Sequence, residues 1–276
     1  MKNIIAVHSN TFHGFSVEDA LEHIALSGFQ YVELTNARGW TEHVTPDMSL
    51  ERIDGIRSLM ASLGLSCPVF SGHCSLMNAA RVDDFKRNIQ LAHDLGCSYI
   101  VTSTGEAHRD SGVGQAEGAL AANIRRLAPC LQSANVQMGI ELHGEYGSGE
   151  RLRPLIEQVD LPCVGITYDT ANAVHYGRRA PETDIKGCAD YIKTVHLKDK
   201  RGLGYFGIYP ALGQGSLRLE ECVDYLLANG YTGPFSVEIE FDADFALRKK
   251  TRDDLKTVSD ALMTSYQFLK RIGLIS

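Results

Sequence analysis

Four apolar runs in the second half of the chain each stop on a side chain of the metal-ligand type. They are Val136-Gln137-Met138-Gly139-Ile140-Glu141, Val164-Gly165-Ile166-Thr167-Tyr168-Asp169, Ile192-Lys193-Thr194-Val195-His196 and Phe235-Ser236-Val237-Glu238. Short continuous apolar runs of this kind read as buried strands of a parallel sheet. Three carboxylates and one imidazole brought to one end of such strands make a donor set for a divalent cation. The bland reading, four unrelated polar residues at four strand ends, suits one such residue better than four in succession.

The same grammar extends outward from these runs. Ser27-Gly28 precedes Phe29-Gln30-Tyr31-Val32-Glu33-Leu34, and Leu63-Gly64 precedes Leu65-Ser66-Cys67-Pro68-Val69-Phe70. Leu95-Gly96 precedes Cys97-Ser98-Tyr99-Ile100-Val101-Thr102, and Asn229-Gly230 precedes the run to Glu238. Glycine just past a helix supplies the left-handed turn that stops it, after which a strand can start at once. The stretches before the glycines have helical period: Val17, Ala20, Leu21, Ile24 and Ala25, with Ser16 as N-cap; Leu50, Ile53, Ile56, Leu59 and Leu63; Phe85, Ile89, Ala92 and Leu95. Leu120, Ile124, Leu127 and Leu131 continue the pattern, and Leu255, Val258, Leu262, Tyr266 and Leu269 mark a long closing helix.

Eight strands follow, near 4–8, 30–35, 65–71, 98–104, 136–141, 163–169, 192–197 and 234–240. Alternation with helices implies parallel strands and crossover connections. Eight units in 276 residues point to an α/β fold of the (β/α)8 TIM-barrel type, as a single domain over 1–276. No Pro/Gly/Ser-rich linker divides the chain.

Composition narrows the partners. The chain is 44% hydrophobic and 22% charged, with a formal net charge of −7 and a pI near 5.8. That balance argues against a nucleic-acid surface and against a membrane anchor, and favours a small-molecule partner. The seven cysteines contain no C-x-x-C pair, which suggests neither a zinc knuckle nor a disulfide framework. The N-terminus does not read as a signal peptide and no run is long enough to span a bilayer, so a cytoplasmic protein is expected.

Two loops are longer than packing requires. Residues 103–116 follow strand 4; residues 198–215 follow strand 7 and carry Lys198, Lys200, Arg201 and Gly213-Gln214-Gly215. Both lie on the face where this fold places catalysis. Lys198, Lys200 and Arg201 are candidates for binding an anionic substrate group, against the alternative of a solvated charged loop. Gly213-Gln214-Gly215 lacks a P-loop lysine and reads as a loop bend, and Gly112-Val113-Gly114 is weaker still. His8 ends strand 1 and is a candidate for the pocket. Glu33 either lines the pocket or fills a lower layer of the barrel. His73 and His108 are loop candidates for substrate contact, and Trp40 is a candidate apolar wall. His13, His23, His43, His93 and His175 have no clustering argument and read as surface or helix residues.

Together, Glu141-Leu142-His143-Gly144, Tyr168-Asp169-Thr170-Ala171-Asn172, Val195-His196-Leu197-Lys198-Asp199, Gly213-Gln214-Gly215 and Val237-Glu238 give the chain a resemblance to the sugar phosphate isomerase/epimerase family. The similarity runs along the whole chain in order and spacing. It implies a xylose-isomerase-like TIM barrel with Glu141, Asp169, His196 and Glu238 as ligands of one divalent metal: manganese first, with magnesium, cobalt or zinc as alternatives. It also implies that Glu141 and Glu238 form the acid–base pair and that His143 faces substrate. Asn172 stands where many members have histidine, a departure at a substrate-contact position. Members often form dimers or tetramers, so a homo-oligomer is compatible with the resemblance.

The expected activity is isomerisation or epimerisation of a polyhydroxy ketone or aldehyde, phosphorylated or not, through an enediolate. The alternatives are a metal-dependent dehydratase of a keto-polyol, of the inosose or dehydroshikimate type, and a non-catalytic sugar-binding barrel. An abasic-site endonuclease would need more histidine ligands and a basic DNA face.

Overall fold

The computed structural model describes residues 3–105, 117–202 and 207–275. Its strands are β1 (Ile5–His8), β2 (Tyr31–Ala37), β3 (Ser66–His73), β4 (Tyr99–Thr102), β5 (Gln137–Glu141), β6 (Val164–Asp169), β7 (Ile192–Leu197) and β8 (Phe235–Val237). They pair in chain order and all in parallel. β1 closes the ring on β8 through Ile5↔Phe235, Ala6↔Ser236 and Val7↔Val237. The fold is therefore the closed eight-stranded barrel that the alternating runs imply. β8 is shorter than the expected 234–240: the Glu238 N–H still donates to the Leu197 carbonyl, but the Ile239 N–H turns away to Thr11 Oγ1 at 3.0 Å.

The helices are α1 (Val17–Leu26), α2 (Leu50–Ser62), α3 (Val82–Asp94), α4 (Glu117–Arg125), α5 (Ala128–Ala134), α6 (Gly149–Val159), α7 (Thr170–His175), α8 (Pro181–Asp184), α9 (Leu219–Ala228), α10 (Ala243–Leu247) and α11 (Arg252–Arg271). Ser16 caps α1 by accepting the Asp19 N–H, as its position predicts. Gly28 and Gly96, past the ends of α1 and α3, have φ of +91° and +81°, the left-handed turn the sequence pattern calls for. A reciprocal Thr251–Asp254 capping box starts α11.

The expected apolar faces are buried: Ile53, Ile56, Phe85, Ile89, Leu120, Ile124, Leu131, Val258 and Leu262 all pack into one core. Leu50 is a correction. As the first residue of α2 it stands above the packing face and is 79% exposed. The face 120–131 belongs to two short helices rather than one. All seven thiols are free, and five are buried as small apolar side chains. Among the described residues, no helix is long and apolar enough to cross a membrane.

The barrel interior is packed tightly enough to constrain β5. A Cβ on Gly139 would lie 2.1 Å from Thr167 Oγ1, which is itself bonded to Thr194 Oγ1 at 2.7 Å. Gly139→Ala is expected to destabilise the protein by about 2 kcal/mol, because the collision lies among rigid strands. A urea unfolding curve measures it. A wild-type midpoint would mean that the Thr167–Thr194 pair moves aside freely.

Candidate metal centre and cavity

Barrel geometry sends the last inward-facing residue of each strand to the same end of the ring. β5 ends on Glu141 and β6 on Asp169; His196 pairs in register with Asp169. Glu238 follows directly on β8. One donor atom from each of Glu141, Asp169, His196 and Glu238 lies within 4.8 Å of the others, and all four residues are buried. His196 Nδ1 is 3.1 Å from Glu141 Oε1 and 3.7 Å from Glu238 Oε2.

Each carboxylate is aimed by a local bond. Asp169 is the N-cap of α7: its Oδ1 accepts the Ala171 and Asn172 N–H groups, both at 2.8 Å, leaving Oδ2 turned inward. Glu238 Oε1 accepts from Asn10 Nδ2 at 2.9 Å. Asp169 Oδ2 and Glu238 Oε2 are buried without a hydrogen-bond partner. Buried carboxylate oxygens left so are costly unless a cation meets them.

Charge crowding shows in the acidities. Burial, with Glu238 and Glu141 nearby, pushes the Asp169 carboxyl up to about 7 against the pull of Lys198. Burial would also raise Glu141, but the His196 hydrogen bond and charge hold it well below the usual carboxylate range. Glu238 is likewise held down, to about 2, because Lys198, His8 and His196 outweigh its burial. Burial opposes the charge on His196, yet Glu33 and Glu141 raise it well above the ordinary histidine value. Three carboxylates and an imidazole with two oxygens unsatisfied are what a hard or borderline divalent cation requires, so these residues fit a metal.

Above this floor is a cavity of about 190 Å³. His8, His73, His143, Asn172, Lys198 and Trp40 line it, as their sequence positions suggest. His143 Nε2 bonds the Tyr176 hydroxyl at 3.0 Å. Lys198 is buried, with Nζ 2.6 Å from Glu240, 3.4 Å from Glu238 and 3.9 Å from Asp169. Trp40 stacks on His13, ring centroids 4.0 Å apart.

Other expectations need correction. Arg201 is exposed and donates to the Gln214 carbonyl; it does not line the cavity, because its side chain folds back over its own loop. Lys200 is fully buried, with its ammonium over the Tyr209 ring, and does not line the cavity either. Of the two readings of Glu33 the lower layer of the barrel holds: it is fully buried and does not line the cavity. His175 is a helix residue as read, at the end of α7, but it also lines the cavity, bonded to the Tyr209 hydroxyl. His43 is buried against Ser9 and Phe15, and burial lowers its pKa to about 4. His23 does sit on a helix, facing Ser259 of α11, and His93 reaches Ala134. His108 and Gly112-Val113-Gly114 lie outside the described residues.

Sequence reasoning missed Asn10, Glu240, Tyr176 and Tyr209. Glu240 had a usable signal, since it stands two residues after Glu238 where a strand returns to the same side. Asn10 sits in a single 3-10 turn after β1 and carried none.

No curated protein sequence matches the chain. A xylose isomerase domain protein from Planctomyces limnophilus is similar, at 21% identity and a TM-score of 0.76, over 99% of this chain and 98% of that one. A xylose isomerase-like TIM barrel protein from Mycobacterium smegmatis, solved in complex with magnesium, gives 19%, 0.75, 99% and 98% in the same order. D-allulose 3-epimerase from Methylomonas sp., in complex with D-allulose, gives 14%, 0.77, 98% and 97%. At these identities the likeness is one of fold. The family profile described as xylose isomerase-like TIM barrel matches residues 21–262, and the chain belongs to that family.

Proposed function

We propose that the protein is a divalent-metal-dependent isomerase or epimerase of a small polyhydroxy ketone or aldehyde. The observation that carries this reading is the buried four-donor cluster at the floor of a polar cavity, in which Asp169 Oδ2 and Glu238 Oε2 have no hydrogen-bond partner, with the Lys198 ammonium nearby. The similarity in fold to a 3-epimerase holding D-allulose supports it.

A divalent cation held by Glu141, Asp169, His196 and Glu238 supplies Lewis acidity, making the C–H beside a substrate carbonyl easier to ionise. The chain's own groups then divide the work. Glu141 and Glu238 stand three strands apart around the ring, a separation that would let them meet a substrate carbon from different sides. Glu238, kept ionised by its neighbours and fixed by Asn10, is poised to take the proton from carbon. Glu141 is ionised at rest, so the proton it delivers to the enediolate first reaches it from a substrate hydroxyl or from water. The proton on Glu238 is released the same way. Return to the same carbon on the opposite face inverts it, and return to the adjacent carbon moves the carbonyl. The Trp40 indole, backed by His13, offers an apolar face to the C–H side of a sugar, and His143, Asn172 and Lys198 offer polar atoms to its hydroxyls.

The test is to load the protein with Mn2+ and incubate it in D2O with ketoses, keto-inositols and sugar phosphates. The small molecules are then read by proton NMR after protein removal. Deuterium is expected on a carbon next to the carbonyl, and the product distinguishes epimer, isomer and dehydrated species. No exchange on any substrate, together with no bound metal, would leave a non-catalytic sugar-binding barrel instead.

A further inference from the structure

Among the described residues, Glu33 is a carboxylate beside the cluster that neither lines the cavity nor belongs to the four-donor group; it groups instead with His8 and His196. It lies on β2, is fully buried, and is bonded through both oxygens. Oε1 is 3.1 Å from His196 Nε2, and Oε2 accepts the Ser236 hydroxyl at 2.5 Å. His8 Nε2 approaches the same Oε1 at 3.5 Å. On its other edge, His196 presents Nδ1 to Glu141.

We infer that Glu33 is a positioning residue for the metal site: by holding the Nε2–H of His196 it fixes the ring so that Nδ1 alone is offered to the cation. The reason is geometric. An imidazole that donates from one nitrogen to a buried carboxylate has its lone pair on the other, and its ring cannot rotate without breaking that bond. Ser236 faces His196 in register across β7 and β8, so its hydroxyl locks the carboxylate from the neighbouring strand. A negative charge behind the ring also strengthens it as a ligand, an effect that partners of this kind exert at about tenfold to a hundredfold in affinity.

This inference rests on the metal reading above, and the experiment separates the two. Histidine-labelled protein saturated with Zn2+, which is diamagnetic, is examined by long-range proton–nitrogen NMR. The His196 ring is expected to show a protonated Nε2 and a zinc-ligated Nδ1. In Glu33→Gln the Zn2+ Kd, measured by chelator competition, is expected to rise about tenfold to a hundredfold. Ser236→Ala should raise it by less, on the order of threefold, and provides the test if Glu33→Gln does not fold. Zinc ligated through Nε2, or a Kd unchanged in a folded Glu33→Gln, overturns the role of Glu33 alone. No Zn2+ uptake by the wild-type protein overturns this role and the metal reading together.

Discussion

Glu238→Gln is expected to lower turnover by at least about a thousandfold while the barrel remains folded. The side chain has two occupations in the proposed function, and the amide removes both. As a base its carboxylate takes a proton from carbon, an effect worth about 10²- to 10⁴-fold in general. As a ligand it offers Oε2, which is buried without a hydrogen-bond partner, 3.4 Å from Lys198 and 3.7 Å from His196 Nδ1. Glutamine keeps the volume and one acceptor for Asn10. The attraction to Lys198, His8 and His196 is lost, but Asp169 and Glu240 still face Lys198, so a folded barrel of somewhat lower stability is expected. Metal content, deuterium incorporation and circular dichroism measured on one preparation decide the matter. Wild-type turnover with metal bound would rule out the carboxylate-pair chemistry.

The second large effect is on the loop after β7. Asp199 is buried and accepts four backbone N–H groups: Lys200 and Leu217 on Oδ1, at 2.8 and 3.2 Å, and Gly213 and Gly215 on Oδ2, at 2.9 and 2.8 Å. The loop wraps so closely that a Cβ on Gly215 would lie 2.0 Å from Oδ1. Asp199→Asn puts an NH2 where one oxygen was, so at least one pair of N–H groups faces a donor. Leaving buried donors unsatisfied costs about 1–3 kcal/mol each, and a total near 3 kcal/mol is expected after relaxation. A lower urea midpoint at unchanged slope is the signature. Because Lys198 is the preceding residue and Tyr209 lies within the loop, KM should rise as well. A wild-type midpoint would show that the loop is held by something other than this carboxylate.

Much of the architecture was legible because it rests on period and punctuation. Apolar runs stopping on Glu141, Asp169, His196 and Glu238 translate directly into strand ends, and strand ends of a closed barrel must converge. What escaped depends on side-chain direction in irregular backbone, where no period operates. Arg201 was a reasonable anion-binding candidate until the bend at Gly213–Gly215 brought the Gln214 carbonyl within its reach. His175 gained its place because α7 is only six residues long and ends at the cavity rim. Nothing in the sequence near Asn10 announces that it bonds Glu238 and Glu240 across 228 and 230 positions. Glu33 was ambiguous for a different reason: burial beneath the floor and exposure in the pocket differ by one layer of the barrel, and strand alternation is the same for both.

The ring closes between its earliest and latest strands, β1 and β8, and the bond from Asn10 to Glu238 spans that same seam. Such sequence-distant pairing is the slowest part of assembly. During synthesis, Glu141, Asp169 and His196 can gather on strands already in place, but the fourth donor and its Asn10 anchor meet only after the last strand has emerged and docked. A barrel arrested one strand short would therefore carry an incomplete donor set, and the onset of tight cation uptake during refolding would time the moment at which the seam is sewn.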